Sequence, residues 1–324
     1  MVAEPTITVK EHYSGIDILK GILVIIVIIG HVLTGSLNNN IVRYIIYGCH
    51  IPLFLSVSGF LIRKEWIKQV SIKKLYKKYQ YRMLTPWLFA SITYIVITGT
   101  VSFNTLIDIF FRPYFHLWYV LSLFIMIIIL WITYKLHTPN WFILLGSSLI
   151  SLWWLYFFFL GKYPISGPNQ PNPLYYLGDM RTYAYFLFFY LGHIGNKYQN
   201  KLGGMHILPV AAFTGCIYIF NFFDKLPAIV VAGSFIVLNI SLAQYLLNYV
   251  VKLKVKKIRL LQPIGVHSLS IYLWHDMIIL TTKHFISKYT DKSIYYTITF
   301  LSLGLFIYLI ISKGQKSGYF PDER

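Results

Sequence analysis

Asp17-Ile18-Leu19-Lys20-Gly21-Ile22-Leu23-Val24-Ile25-Ile26-Val27-Ile28-Ile29-Gly30-His31 places three ionisable side chains in an otherwise apolar run. A run of this length and hydropathy predicts a membrane-spanning helix. At 100° per residue, the step from Lys20 to His31 ends about 20° past three full turns, so both project from nearly the same face. Asp17 falls within about 60° of both. With a rise of 1.5 Å per residue, the cation and the imidazole mark two depths roughly 16 Å apart on one stripe. Ionisable groups in a spanning helix are costly to bury and are read as functional by default.

Around that stretch the composition is 56% hydrophobic and 12% charged, with a mean hydropathy of +0.60. Such a balance excludes an ordinary soluble domain and predicts an all-α polytopic membrane protein. Hydropathy windows of ~20 residues give a bundle of about ten transmembrane helices. They fall near 16–34, 44–62, 83–102, 116–134, 140–160, 182–195, 205–223, 226–250, 263–283 and 294–313. The domain reading is a cytoplasmic segment 1–15, a transmembrane domain 16–313 and a cytoplasmic tail 314–324, with no signal peptide, repeat or appended soluble domain.

The net charge of +18 resembles a nucleic-acid footprint until the basic residues are assigned to alternate loops. With the N-terminus inside, inner segments hold 20 Lys and Arg and outer segments hold 8. That bias predicts both termini cytoplasmic, and membrane lipid rather than nucleic acid as the partner of the charge. The Arg63–Arg82 cluster interleaves Ile67, Val70, Ile72, Leu75, Tyr76 and Tyr79 with lysines, as an amphipathic interfacial helix would. It also suits attraction of an anionic cytosolic donor. Cys49 and Cys216 fall on different spans and imply no disulfide framework.

The second span carries Cys49-His50-Ile51-Pro52-Leu53-Phe54 and Ser58-Gly59. Running antiparallel to the first, it brings His50 to a depth near that of His31. Pro52 frees a carbonyl in the preceding turn, and Ser58-Gly59 permits close helix packing. His116 and Trp118 begin the fourth span, and His275 with Asp276 lies in the outer half of the ninth, Asp276 being its obvious local partner or an outer-facing charge. Four histidines thus gather at one level, in a spacing that matches no local zinc pattern, so no metal is expected. Arg82, at the inner mouth of the third span, suits a phosphate clamp or a snorkelling anchor. Aromatic stretches at 153–159 and 175–190 read as stacking platforms or interfacial belts, and the Pro- and Gly-rich 161–181 segment as a cap over the outer vestibule or a linker.

Taken together, D-x-x-K-G, the helix ending in G-H, and H-x-P-L-F-x-x-x-S-G-F resemble the acyltransferase 3 family of integral-membrane O-acyltransferases, with the fucose 4-O-acetylase type as the most similar subgroup. H-L-W-Y-V-L at 116–121 and S-x-S-I-Y-L-W-H at 268–275 resemble two further signatures. The resemblance implies transfer of an acyl group, usually acetyl, from cytosolic acyl-coenzyme A to a hydroxyl of a cell-surface glycan or its lipid-linked precursor. It implies a multi-pass protein of the cell membrane, in a bacterial plasma membrane, with glycan-assembly proteins as possible partners. It makes His31 the essential histidine, Lys20 its cytoplasm-facing basic partner and Asp17 the acid of the same motif; His50 is a further catalytic candidate, either orienting that imidazole or polarising the thioester carbonyl. Lys20, Arg82 and Lys78 become donor-binding residues, and His116, Trp118 and His275 acceptor-binding residues. The R-x-x-R of relatives reads Tyr79-Gln80-Tyr81-Arg82 here, with Lys78 beside the missing first arginine. On this footing His31 serves either as general base or as a covalent acyl carrier, with Cys49 a further carrier. A different class stays open: a transporter or exporter of a glycan precursor or small polar solute, its histidines lining a pathway, which would consume no acyl-coenzyme A.

Overall fold

A computed structural model describes residues 14–34, 40–160, 176–195, 207–221, 225–252, 261–286 and 292–316. In chain order the helices are α1 (Ser14–Val32), α2 (Ile41–Phe60), α3 (Lys64–Gln69), α4 (Ile72–Tyr79), a π-helical turn Gln80–Leu84, α5 (Thr85–Ile97), α6 (Phe103–Phe111) and α7 (Trp118–Lys135). They continue as α8 (Asn140–Phe159), α9 (Arg181–Gly195), α10 (Ile207–Asn221), α11 (Ala228–Lys252), α12 (Leu261–Val266), α13 (Ser268–Ile286) and α14 (Lys292–Lys316). The protein is all-helical among the described residues.

Each of the ten expected spans contains a helix, but among the described residues six are long and apolar enough to cross a bilayer: α1, α2, α7, α8, α11 and α14. The others differ for identifiable reasons. α5 has 13 residues, and α9 and α10 have 15 each, less than the ~20 that a hydrocarbon core requires. The ninth span breaks at His267 into α12 and α13, and α13 carries His275, Asp276, Lys283 and His284, which lower its hydropathy. The chain is a multi-pass membrane protein. The expected turn at Asp224-Lys225 lies partly outside the described residues, as does the 161–175 part of the expected cap.

The lysine-rich stretch forms two short helices, α3 and α4, rather than one, because Val70 and Ser71 take extended backbone and Ser71 caps α4 through Lys74 N–H (3.4 Å). From Ile72 to Ile97 the chain is then continuously helical. Its π-turn has a local cause: Pro86 has no N–H to offer the Arg82 carbonyl. The Thr85 N–H instead reaches back five residues to Gln80. α6, amphipathic and closed by a Ser102–Thr105 capping box, was not expected from the sequence.

Two helix crossings, each with a pair of glycines, set the bundle. α2 packs most extensively on α9, where Gly59 lies against the Phe189 carbonyl and Gly192 against Ser56. α1 packs on α12, where Gly21 faces the Leu261 carbonyl and Gly265 the Asp17 carbonyl. Backbones approach this closely only where no Cβ intervenes. The carbonyl freed by Pro52 is that of Gly48, and Asn239 of α11 donates to it at 2.6 Å. A buried amide from another helix thus supplies the missing hydrogen bond, as membrane burial demands. Asn40 caps α2, its Oδ1 accepting from the Val42 and Arg43 N–H groups, both at 3.1 Å. These contacts fix the half of α2 that faces the site.

Candidate functional site

Near the C-terminus of α1, three imidazoles converge from three parts of the chain. The His31 ring centroid lies 5.3 Å from that of His275 on α13 and 6.3 Å from that of His116, which precedes α7; His116 and His275 are 5.0 Å apart. His116 and His275 are buried at 3% and 0% exposure, whereas His31 is half-buried. Of the three, His31 is therefore the ring most open to a substrate. It is wedged edge-on by Tyr47 at 6.1 Å and Phe115 at 5.3 Å. Among the described residues its nitrogens make no hydrogen bond.

The two buried rings are held by backbone. His275 Nδ1 lies 2.8 Å from the Tyr272 carbonyl. A carbonyl only accepts, so the proton belongs on Nδ1 and the lone pair on Nε2. That Nε2 is buried without a hydrogen-bond partner among the described residues, a cost that native interiors carry mainly where a site requires it. His116 sits between the Leu273 carbonyl (Nε2, 3.4 Å) and the Asp276 carboxylate (Nδ1, 3.5 Å). Asp276 thus partners His116 rather than its neighbour His275, since consecutive helical residues point 100° apart. The Tyr272 hydroxyl donates to the His116 carbonyl, Trp87 Nε1 donates to the Leu117 carbonyl at 3.0 Å, and Tyr94 donates to the Leu273 carbonyl at 3.2 Å. So pinned, the turn before α7 carries Phe115 at φ 25°, a left-handed backbone rare for a bulky residue.

Above His31 opens a cavity of about 830 Å³. His50, His116 and Trp118 line it, as do Cys49, Arg43, Tyr47, Arg112, Asp179 and Arg181. His50 Nδ1 lies 2.5 Å from the Ile46 carbonyl, which puts its lone pair on Nε2. Trp118 is 95% buried: the Arg181 guanidinium covers its ring at 4.1 Å and Tyr185 stacks beside it. Arg181 in turn pairs with Asp179 at 2.5 Å.

Asp17 and Lys20 lie at the other end of α1, joined by a 2.6 Å ion pair. Lys78 stands 3.5 Å over the Trp66 ring, and Arg82 is exposed in the π-turn. None of these four lines the cavity. The structure therefore divides the expected site residues into a histidine group around one cavity and a cationic group away from it. Among the described residues, no cluster of His, Cys, Asp and Glu could hold a metal ion. Sequence reasoning left Tyr47, Tyr94, Phe115 and Tyr272 unassigned; in a chain 18% aromatic they carry no distinguishing signal.

Residues 13–313 match the family described as "Acyltransferase domain", acyltransferase 3. The chain belongs to the acyltransferase 3 family. Membership covers nearly all of it, takes in every helix of the cavity and implies acyltransferase activity. No curated protein and no solved structure matches the chain.

Proposed function

We propose that this acyltransferase moves an acetyl group from cytosolic acetyl-coenzyme A to a hydroxyl of a cell-surface glycan or its lipid-linked precursor, in the manner of fucose 4-O-acetylases. The protein then lies in a bacterial plasma membrane with both termini cytoplasmic, as the bias of basic residues favours. The observation that carries the reading is His31 at the floor of the cavity, half-buried, with His116 and His275 packed behind it.

An imidazole whose nitrogens make no hydrogen bond among the described residues, at the floor of a largely apolar cavity, suits general-base catalysis. His31 takes the proton from the acceptor hydroxyl as its oxygen attacks the thioester carbonyl carbon. The resulting tetrahedral centre collapses with cleavage of the carbon–sulfur bond. The ester stays on the sugar, and the departing thiolate leaves as coenzyme A thiol with the proton from His31. His50, presenting its Nε2 lone pair, helps orient the acceptor, and His116 and His275 set the pose of His31. Lys20, held by Asp17, and the exposed Arg82 lie on the cytoplasmic side, where they meet the anionic end of the donor, with Lys78 beside them.

The test uses the purified protein in proteoliposomes with the Lys20 end outward, radiolabelled acetyl-coenzyme A and a host glycan extract. Label transfer or coenzyme A release that is lost in His31→Ala supports the reading. A folded wild-type protein that gives neither, with acetyl or succinyl donor, overturns it in favour of transport.

A further inference from the structure

The chain has two cysteines, Cys49 on α2 and Cys216 on α10. Folding brings both to the wall of the cavity above His31. Both are free thiols, Cys49 half-buried and immediately before His50, Cys216 buried. The transfer chemistry proposed above uses neither.

Three contacts bring the two thiols to one level of the bundle. The Tyr44 and Phe220 rings meet at 4.9 Å between α2 and α10. These helices, in the second and seventh of the ten expected spans, run in opposite directions. Cys49 follows Tyr44, and Cys216 precedes Phe220, each by just over one turn, so the two cysteines come round to the same height. A third helix gathers them as well. Cys216 Sγ lies 4.0 Å from the Ser234 carbonyl of α11, and Asn239, little more than one turn further along α11, donates to the Gly48 carbonyl at 2.6 Å. The two sulfur atoms are within electrostatic reach of each other.

The setting favours their oxidation. In the orientation proposed above, the cavity opens on the side of the membrane away from the cytoplasm, where disulfides form and persist. Among the described residues α10 rests mainly on α11 and only lightly on α2. A covalent tie would therefore draw onto α2 the cavity wall that packing holds least, beside the helix that carries His50.

We propose that Cys49 and Cys216 form a reversible disulfide that fastens the α10 wall of the cavity to α2. The oxidant is itself a disulfide, of a protein or a small molecule, on the cavity side of the membrane. Cys49, the more accessible thiol, gives up its proton and attacks one sulfur of the oxidant; the oxidant's sulfur–sulfur bond breaks and its other sulfur leaves as a thiolate. Cys216, deprotonated in turn, attacks the Cys49 sulfur of the mixed disulfide and expels the second oxidant sulfur. The cysteines lose two electrons and two protons, and the oxidant takes up both as two thiols. The inference rests on the orientation given in the acyl-transfer reading, not on its chemistry, and adds a means of regulating the same site.

The experiment treats the full chain in nanodiscs with oxidised glutathione or with dithiothreitol, blocks remaining thiols with an alkylating reagent, and maps the cysteines by proteolysis and mass spectrometry. Oxidised wild type should yield a linked pair of peptides holding Cys49 and Cys216, and dithiothreitol should abolish it. The oxidised form should unfold about 4 °C or more above the reduced form, the scale of closing a long loop. In Cys216→Ser, glutathione should stay on Cys49, because no second thiol expels it. Cys49→Ser should unfold at the same temperature under both treatments. The wild-type peptides decide the question even where a variant fails to fold. Alkylation of both cysteines in the oxidised wild type, glutathione retained on both, or a bridge between two copies of the chain overturns the proposal, as does a linked pair with no change in unfolding temperature. Acetyl transfer by the reduced protein is assayed alongside; loss of ester and coenzyme A release there overturns the acyl-transfer reading and leaves the disulfide standing.

Discussion

Gly192→Ala should damage activity from a position outside the cavity. A Cβ at Gly192 would lie 2.6 Å from the carbonyl carbon of Ser56 and 2.7 Å from its Cα, and closer still to its oxygen. Contacts under 3.4 Å are already tight, and the atoms met are backbone, so α9 and α2 must part by about 0.7 Å or more. Parting them stretches the Ser56 Oγ to Phe188 carbonyl bond, now 3.0 Å. Overpacking of this kind costs about 1–3 kcal/mol, offset by roughly 0.5–1 kcal/mol from replacing a helical glycine. The first half of α2 carries Arg43, Tyr47 and His50, and a misplacement near 1 Å lowers rates by up to about 100-fold. We expect a lower unfolding temperature in detergent together with a large loss of kcat/KM for acyl transfer. Gly146→Ala on α8 is the control, because nothing lies within 4 Å of its Cβ position; it should unfold no earlier than wild type and turn over normally. A Gly192→Ala protein as stable and active as wild type would refute the claim that this crossing holds the site in register.

His31→Gln should lower kcat by about 10²–10⁴-fold, the usual contribution of a general base, while thermal unfolding stays near wild type because His31 makes no hydrogen bond among the described residues; more than a tenth of wild-type turnover would remove His31 from that role. Asp276→Asn keeps the shape but removes the carboxylate 3.5 Å from His116. As a positioning residue Asp276 should then shift the pH profile of kcat and lower its plateau by about tenfold, with acceptor KM unmoved; an unchanged profile would reduce Asp276 to packing. Lys20→Gln should raise KM for acetyl-coenzyme A by about tenfold, as loss of one charge-assisted contact does. A change confined to the acceptor KM would place the donor elsewhere.

The apolar runs and the Lys20–His31 stripe were legible because hydropathy and helical period are local properties of a segment. So was the consequence of Pro52, a freed carbonyl, but its remedy, Asn239, comes from α11, 191 residues further along. The same limit hid the partner of Asp276: a helix separates adjacent side chains, and His116 arrives from a turn 160 residues earlier. α6 escaped notice because its capping box closes with Thr105 rather than the usual Glu or Gln. Arg43, Arg112 and Arg181 entered the reading as loop charges that set topology, and only the folding of three separate segments around one cavity gives them a common neighbour.

That assembly is interlocked where the imidazoles meet. Gly21 and Gly265 bring α1 and α12 into backbone contact, and α12 runs through His267 into α13, which carries Tyr272, His275 and Asp276. One interlocked unit therefore sets the distance from His31 to His275 and, through Asp276 and Tyr272, the pose of His116. The same α1 fixes the rise from Lys20 to His31 at roughly 16 Å, a length that a continuous helix does not alter. Placing the imidazoles on packed helices rather than on loops holds their relative positions tightly. The one part of the constellation on a turn, His116 with Phe115, is the part secured by added hydrogen bonds from Tyr272 and Trp87. At the cavity mouth, by contrast, Phe115 and Arg112 are exposed.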